Sequence, residues 1–243
     1  MAHVAAMYMY CETFFEKAAG ETSGRGADRM YQRCLKRAFD TVVSAVAMVF
    51  LCPVFLVIAG LIKVNSPGPV FFRGVRVGRH GREFRIFKFR TMVANADKIG
   101  GPSTPADDPR ITRMGRFIRR FNLDELPQLL NVFTGEMSIV GPRPEVPQYV
   151  ALFTEEEKQI VSVRPGITDW ATLWIGNEGK ILAGSADPER VYFEKLWTEK
   201  HRLQLEYVRR QSLWVDCQIM LKTLKVHLLD RFKSEAAMPG RGR

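Results

Sequence analysis

The sequence predicts an α+β fold that is mostly helical and inserts one helix near its N-terminus into a membrane. Three observations support this fold: an uncharged apolar run at 41–62, alternating apolar and basic residues at 70–92, and helical patterns at 188–209 and 212–232. At 243 residues and 46% hydrophobic, the chain is long enough for one domain with a core. Its 26% charged residues exclude a polytopic membrane protein, and its apolar content excludes a disordered one.

The charge and cysteine content narrow the functional classes. A formal net charge of +10 indicates an acidic partner, which is nucleic acid, anionic lipid or a phosphorylated substrate. The four cysteines form no CxxC pair, and the four histidines share no metal-ligand spacing. A structural zinc site and a disulfide framework are therefore not expected, and a reducing, cytosol-facing location is favoured.

The chain divides into four predicted segments. Residues 1–32 are predicted to be a flexible tail, and Met30 within them is a candidate natural start. Residues 33–64 form the membrane helix, 65–232 form one domain, and 233–243 form a flexible basic tail.

The apolar run from Thr41 to Ile62 is long enough, at about 33 Å, to cross the core of a bilayer. Basic residues flank it on both sides, so the positive-inside rule does not orient a spanning helix. Pro53, which follows Cys52, would bend the helix at its midpoint. Each arm would then be about 15–18 Å long, which enters a membrane without crossing it. On these residues alone, a re-entrant hairpin and a kinked spanning helix are almost equally favoured, and a buried core helix is third.

The remaining elements follow in order. A turn at 66–69 leads into a strand pair around a Gly-rich turn, and 100–110 has the composition of a mobile loop. A helix is predicted from about Asp124 to Thr134. A charged helix at 188–209 and an amphipathic helix at 212–232 complete the chain, and Trp214 with the lysines of the latter favours a membrane surface over a core-facing position.

The adjacent carboxylates Asp124 and Glu125 have two interpretations. Asn122 as N-cap and Glu125 three residues later resemble a capping box, and acids in a first turn complement the helix dipole, so the local pattern favours a structural role. The alternative is an active site. The arginines at 110, 113, 116, 119 and 120 would lower the pKa of a nearby carboxylate, and two carboxylates beside bound phosphate are a natural Mg²⁺ site. Neither GxxxxGK[ST] nor GxGxxG is present.

Several segments in order resemble one family. "KRAFD" at 36–40 precedes the proline-interrupted run, and "FKFRTM" at 87–92, "LDELPQLLNVFTGEMSIVGPRPE" at 123–145 and "RPGIT" at 164–168 follow. This order resembles the bacterial sugar transferases, small monotopic phosphoglycosyl transferases, over about residues 33–230. The resemblance implies an N-terminal re-entrant membrane hairpin helix, a small strand pair and amphipathic membrane-surface helices around a compact cytosolic catalytic domain.

The resemblance also implies a reaction and its residues. Family members transfer a sugar 1-phosphate from a UDP-sugar to polyprenol phosphate, releasing UMP, with Mg²⁺ and a covalent phosphosugar on the Asp of an Asp-Glu pair. Asp124 matches the nucleophile, and Glu125 matches its partner in metal binding or base catalysis. Arg119 matches a functional arginine, and Pro142, Arg143 and Pro144 match a uridine-diphosphate-binding motif. The further predicted substrate-binding cations are Lys36, Arg37, Lys88, Arg90 and Arg164.

The implied location is the bacterial inner membrane, with the catalytic domain on its cytosolic face, membrane lipids as partners and no nucleic acid; a homodimer is left open. The chain departs from the family at Asp169, where many members have glycine, and at Cys52, where the family has serine before the proline. We expect the segment after "RPGIT" to lie near the sugar or the uridine. Two alternatives remain: a basic membrane-anchored adaptor that binds nucleic acid or lipid, and a metal-dependent phosphohydrolase that uses water as acceptor.

Overall fold

The computed structural model describes residues 34–96 and 99–226, so the predicted tails and the candidate start at Met30 lie outside it. Within the described residues the fold is mostly helical, as predicted. The α-helices are α1 Lys36–Asn65, α2 Arg113–Arg120, α3 Gln128–Thr134, α4 Pro147–Val150, α5 Trp170–Ile175, α6 Glu178–Leu182, α7 Pro188–Tyr192, α8 Thr198–Arg210 and α9 Leu213–Lys225.

Short strands form three two-stranded sheets in the described part of the chain. The strands are β1 Phe71–Phe72, β2 Val75–Val77, β3 Glu83–Arg85, β4 Lys88–Phe89, β5 Ser138–Val140 and β6 Gly166–Thr168. The predicted strand pair is confirmed as two antiparallel pairs, with β2–β3 forming the hairpin and β1–β4 pairing outside it. The parallel pair β5–β6 was not predicted, because a three-residue strand is too short to show alternation.

The predicted helices differ from the observed ones at two places. The helix expected from about Asp124 begins at Gln128, and Asp124 and Glu125 precede it in a three-ten turn. The helix expected at 188–209 is divided by a π-helical turn, Phe193–Trp197. Aromatic rings from another segment pack on this turn, since the Tyr149 and Phe153 ring centroids each lie 5.9 Å from that of Trp197.

Helix α1 contacts the globular domain near both of its ends. Near its N-terminus, Asp40 accepts a hydrogen bond from the Ile139 backbone at 3.1 Å, and Ser44 is fully buried. Near its C-terminus, Ile58 and Ile62 pack with Phe89 and Ile118 in one core cluster. The residues between these contacts include some of the most exposed apolar side chains in the described chain, Val49 and Phe50 among them.

A buried ion pair attaches the start of α1 to the last described helix. Lys36 Nζ donates to the Asp216 carboxylate, whose other oxygen accepts from the Tyr207 hydroxyl at 2.8 Å. Both charged side chains are buried, at 7% and 3% exposed. The Lys36 ammonium therefore has a structural partner that the sequence did not indicate.

We expect Lys36→Met to lower the free energy of unfolding by about 3 kcal/mol, because it removes one partner of a buried ion pair with Asp216. Thermal unfolding in a lipid nanodisc measures this loss. The matched double variant Lys36→Met/Asp216→Leu removes both charges and should recover much of the stability. A double variant no more stable than the single variant would contradict this account.

Candidate active site

Asp124 and Glu125 lie in the three-ten turn Leu123–Glu125, which joins α2 to α3. Asn122 precedes the turn with a left-handed backbone, φ 54°, and its side chain makes no capping hydrogen bond. The predicted capping box is therefore wrong. The capping box does not form because two cations bind the Glu125 carboxylate, which is then not available to cap the turn.

Glu125 is the shared partner of Lys88 and Arg143. Lys88 Nζ on β4 donates to Oε1 at 2.9 Å, and the Arg143 guanidinium donates to both carboxylate oxygens, to Oε2 at 2.9 Å. Burial opposes ionisation of Glu125, but Arg143 and Lys88 outweigh it and hold the pKa well below its usual range. Glu125 is thus a fixed anion that orients two cations.

Asp124 is buried beside Glu125 in a different environment. The described residues place no hydrogen-bond donor on its carboxylate, although Lys88, Arg119 and Arg143 all act on it through their charge. Burial and then the Glu125 charge raise the pKa of Asp124, and the three cations offset this only in part. The expectation that the arginine run lowers this pKa is wrong, because desolvation of the carboxyl group dominates.

Arg119 approaches Asp124 from the last turn of α2. Its Nε donates to Thr91 Oγ1 at 2.8 Å, and burial is the main cause that lowers its pKa. Gly115 brings α2 against the segment after β4, since a Cβ at this position would lie 1.9 Å from the Thr91 carbonyl oxygen. This close approach aligns Arg119 with the pair of carboxylates.

The loop after β5 carries Pro142, Arg143 and Pro144. The Pro142 carbonyl accepts a hydrogen bond from the Gly166 backbone at 2.9 Å, which joins this loop to the start of β6. Gly166 has no room for a side chain, since a Cβ would lie 2.1 Å from the Gly141 nitrogen. The loop is therefore fixed against the start of β6, and the Arg143 side chain extends from it to Glu125.

The other predicted substrate-binding cations make structural contacts. Arg37 donates to the carbonyls of Val132 and Phe133, and Arg164 to that of Gly135, so both satisfy the C-terminal end of α3. The remaining two are Arg90, which donates to Ser66 and Pro67, and Lys36, which pairs with Asp216. Of the predicted cations, Lys88, Arg119 and Arg143 surround the two carboxylates.

Sequence reasoning did not single out two neighbours of the site. Thr91 lies in the "FKFRTM" segment and holds Arg119. Asp108 forms a bidentate pair with Arg110, and both act on Arg119 through their charge. The sequence feature that could have indicated Asp108 is the "DDPR" segment at 107–110, which places two acidic residues in an otherwise basic region.

This arrangement suits phosphoryl transfer. A buried carboxylate that has no hydrogen-bond donor among the described residues lies among three cations, and one of them, Arg143, is in a loop hydrogen-bonded to β6. Such cations stabilise the charge on a transferring phosphoryl group, and a carboxylate can attack phosphorus.

Comparisons with known proteins agree with this chemistry. The family model described as bacterial sugar transferase matches residues 31–230. The chain is 41% identical over 203 residues to an undecaprenyl-phosphate glucose phosphotransferase of Komagataeibacter xylinus, covering 81% of the chain and 36% of that relative. It is 39% identical over 197 residues to a UDP-N-acetylgalactosamine-undecaprenyl-phosphate N-acetylgalactosaminephosphotransferase of Aeromonas hydrophila, covering 80% and 44%.

A third relative is similar to this chain in length. The exopolysaccharide production protein ExoY of Sinorhizobium fredii is 36% identical over 221 residues, which cover 85% of the chain and 91% of that relative. The chain spans less than half the length of the first two relatives, 36% and 44%.

Proposed function

The chain belongs to the bacterial sugar transferase family, and from this we propose that it transfers a sugar 1-phosphate from a UDP-sugar to a membrane polyprenol phosphate. The products are UMP and a polyprenol diphosphate sugar, the first membrane-bound intermediate of a surface glycan. The observation that carries the proposal is the asymmetry of the two carboxylates: Glu125 is bound by Lys88 and Arg143, whereas Asp124 is buried among the same cations with no described donor.

The reaction proceeds in two displacements. An Asp124 carboxylate oxygen attacks the sugar-bearing phosphorus of the UDP-sugar, and the bond from that phosphorus to the bridging oxygen breaks. The bridging oxygen and its electron pair leave with UMP. A phosphate oxygen of polyprenol phosphate then attacks the same phosphorus, which releases the Asp124 carboxylate. Lys88, Arg119 and Arg143 stabilise the charge of the transferring group in both steps.

Mg²⁺ fits the same residues as a cofactor. The described residues contain no group of three or more metal-ligating side chains, so a protein-only cage is not formed there. Mg²⁺ commonly binds through one or two carboxylates and takes its other ligands from phosphate and water. Asp124 has both carboxylate oxygens free of described donors, and Glu125 keeps a lone pair on Oε2 beyond the bond from Arg143. When bound, the ion supplies charge neutralisation of the diphosphate.

The contacts of α1 support a monotopic, re-entrant anchor over a spanning helix. Within the described residues, α1 is the one helix long and apolar enough to cross a membrane. Ser44 is buried against the domain, and Phe55 packs on Phe89 with ring centroids 5.5 Å apart. The ten residues between them extend about 15 Å, roughly half of the apolar thickness of a bilayer. We infer that both docked ends lie on one side, with Pro53 in the inserted part. The predicted break at Cys52 and Pro53 is not seen, since α1 continues through Pro53 as one helix.

Helix α9 supports the placement of the domain on the same membrane face. Its exposed apolar residues include Leu213, Trp214 and Leu221, and Trp214 is 67% exposed. Tryptophan and lysine side chains at such a face suit the headgroup region. We place the protein at the cytosolic face of the bacterial inner membrane, with the catalytic domain in the cytosol.

The test is UMP release from the purified protein in nanodiscs with Mg²⁺, polyprenol phosphate and a panel of UDP-sugars. The panel includes UDP-glucose and UDP-N-acetylgalactosamine because the relatives' names differ in the sugar. We expect turnover with at least one sugar, dependent on polyprenol phosphate. Multiple-turnover UMP release without the lipid acceptor would indicate a phosphohydrolase, and no release across the panel would indicate a non-enzymatic adaptor.

The topology is tested separately with accessible tags at the N-terminus and at residue 70 in sealed vesicles. Equal accessibility of the two tags is expected for a re-entrant helix. Opposite accessibility would show that α1 spans the membrane.

A further inference from the structure

Asp169 is a fully buried carboxylate directly behind the loop that carries Arg143. Its Oδ2 accepts a hydrogen bond from the Arg143 backbone nitrogen at 3.2 Å and another from the Gln204 side-chain amide at 3.1 Å. Its Oδ1 accepts from the Thr172 backbone nitrogen at 2.6 Å, which caps α5. One side chain thus joins the Arg143 loop, α5 and α8.

All three hydrogen-bond partners that Asp169 has among the described residues are donors. A carboxylate accepts at both oxygens, whereas an amide of the same shape would present an NH₂ group to at least one of them. The other end of the Gln204 amide, Oε1, is buried without a partner in the described residues, which is consistent with its NH₂ group being turned toward Asp169. The site therefore requires an acid at this position rather than a polar residue of similar size.

Arg143 is consequently held at two points. Its backbone is held by Asp169 and its guanidinium by Glu125. Glu125 is the main cause of the raised pKa of Arg143, and Asp169 adds to it through its charge. A shift of the loop away from Asp169 would move the guanidinium relative to Asp124.

We propose that Asp169 is a positioning residue for sugar-phosphate transfer, which fixes the Arg143 backbone so that the guanidinium meets the diphosphate of the donor. This inference rests on the proposed function. The segment after "RPGIT" was expected to lie near the sugar or the uridine. The Asp169 side chain is instead enclosed by protein and reaches the site through Arg143.

A role limited to capping α5 makes a different prediction. Aspartate and asparagine are about equally good N-caps, so Asp169→Asn would then be nearly neutral. If Asp169 positions Arg143, the asparagine side chain would place its NH₂ group against the NH groups that donate to Asp169. The Arg143 loop would then shift, and kcat/KM for the UDP-sugar should fall about 10–100-fold. Asp187 caps α7 in the same way, accepting from the Arg190 nitrogen at 3.0 Å, so Asp187→Asn is the matched control and should leave activity unchanged.

The decisive measurement is a double-mutant cycle between positions 169 and 143. Asp169→Asn, Arg143→Ala and the double variant are compared by kcat/KM and by the Kd of UMP. If Asp169 acts through Arg143, its replacement matters little once the Arg143 side chain is gone. We therefore expect kcat/KM of the double variant to be less than twofold below that of Arg143→Ala alone. Asp169→Ser, which keeps a capping hydroxyl but is too short to reach Arg143 and Gln204, provides a second variant should the asparagine variant not fold.

The possible outcomes of this cycle distinguish the role of Asp169 from the proposed reaction. Coupled losses for Asp169→Asn or Asp169→Ser support the proposal. Additive losses, or full activity in a folded Asp169 variant, overturn it while leaving the proposed reaction intact. A wild-type protein that neither binds UMP nor releases it overturns the proposed function itself.

Discussion

Replacing Asp124 by asparagine is expected to abolish transfer, lowering kcat by about 10³-fold or more, as expected for removal of a nucleophile. The amide has nearly the same shape but cannot attack phosphorus as an anion. Intact-protein mass spectrometry after incubation with the UDP-sugar alone measures the consequence directly. The wild type should gain the mass of a sugar phosphate, and Asp124→Asn should not.

The control for this variant is Asp107→Asn, at an exposed carboxylate that accepts only from the Gly184 backbone among the described residues. It should keep wild-type turnover and the covalent adduct. Wild-type turnover by Asp124→Asn would remove Asp124 as the nucleophile.

The change Glu125→Gln is expected to slow turnover by about 10²-fold while leaving adduct formation detectable, because Glu125 orients the charges and Asp124 makes the bond. It should also lower the free energy of unfolding by about 3 kcal/mol, since the Arg143 and Lys88 cations lose their shared anion in a largely buried site. For a domain of this size, the loss corresponds to a Tm decrease of about 6–12 °C.

Glu155→Gln is the matched control, since Glu155 is 90% exposed and pairs only with the surface residue Lys158 in the described chain. It should change neither Tm nor turnover measurably. An adduct that fails to form on Glu125→Gln, with Asp124 intact and the protein folded, would assign Glu125 a direct part in the first displacement.

The ordered motifs indicated which residues carry the chemistry, but not how they are divided between structure and binding. Lys88, Arg119 and Arg143 were predicted with the same reasoning as Arg37, Arg90 and Arg164. Sequence patterns identify a cation, whereas its partner depends on contacts between residues far apart in the chain. Arg37, for example, donates to carbonyls about 95 residues away, at the end of α3.

The pKa of Asp124 shows a second limit of sequence reasoning. Counting nearby arginines predicts a lowered value, but the degree of burial decides the outcome, and burial is set by the tertiary fold. The short strand β6 was missed for a related reason. Its three residues are extended because they pair with β5, and no local pattern shows this.

The ion pair between Lys36 and Asp216 also bears on how the protein is made. Its two members are 180 positions apart, so the first described helix leaves the ribosome long before its partner on α9 exists. On the proposed topology, α1 enters the membrane first, and the domain can close around its ends only after Asp216 has been synthesised. We expect removal of α1 to destabilise the domain, because the core around Phe89 and Ile118 would lose Ile58 and Ile62. Helix α1 and the domain thus form one folding unit.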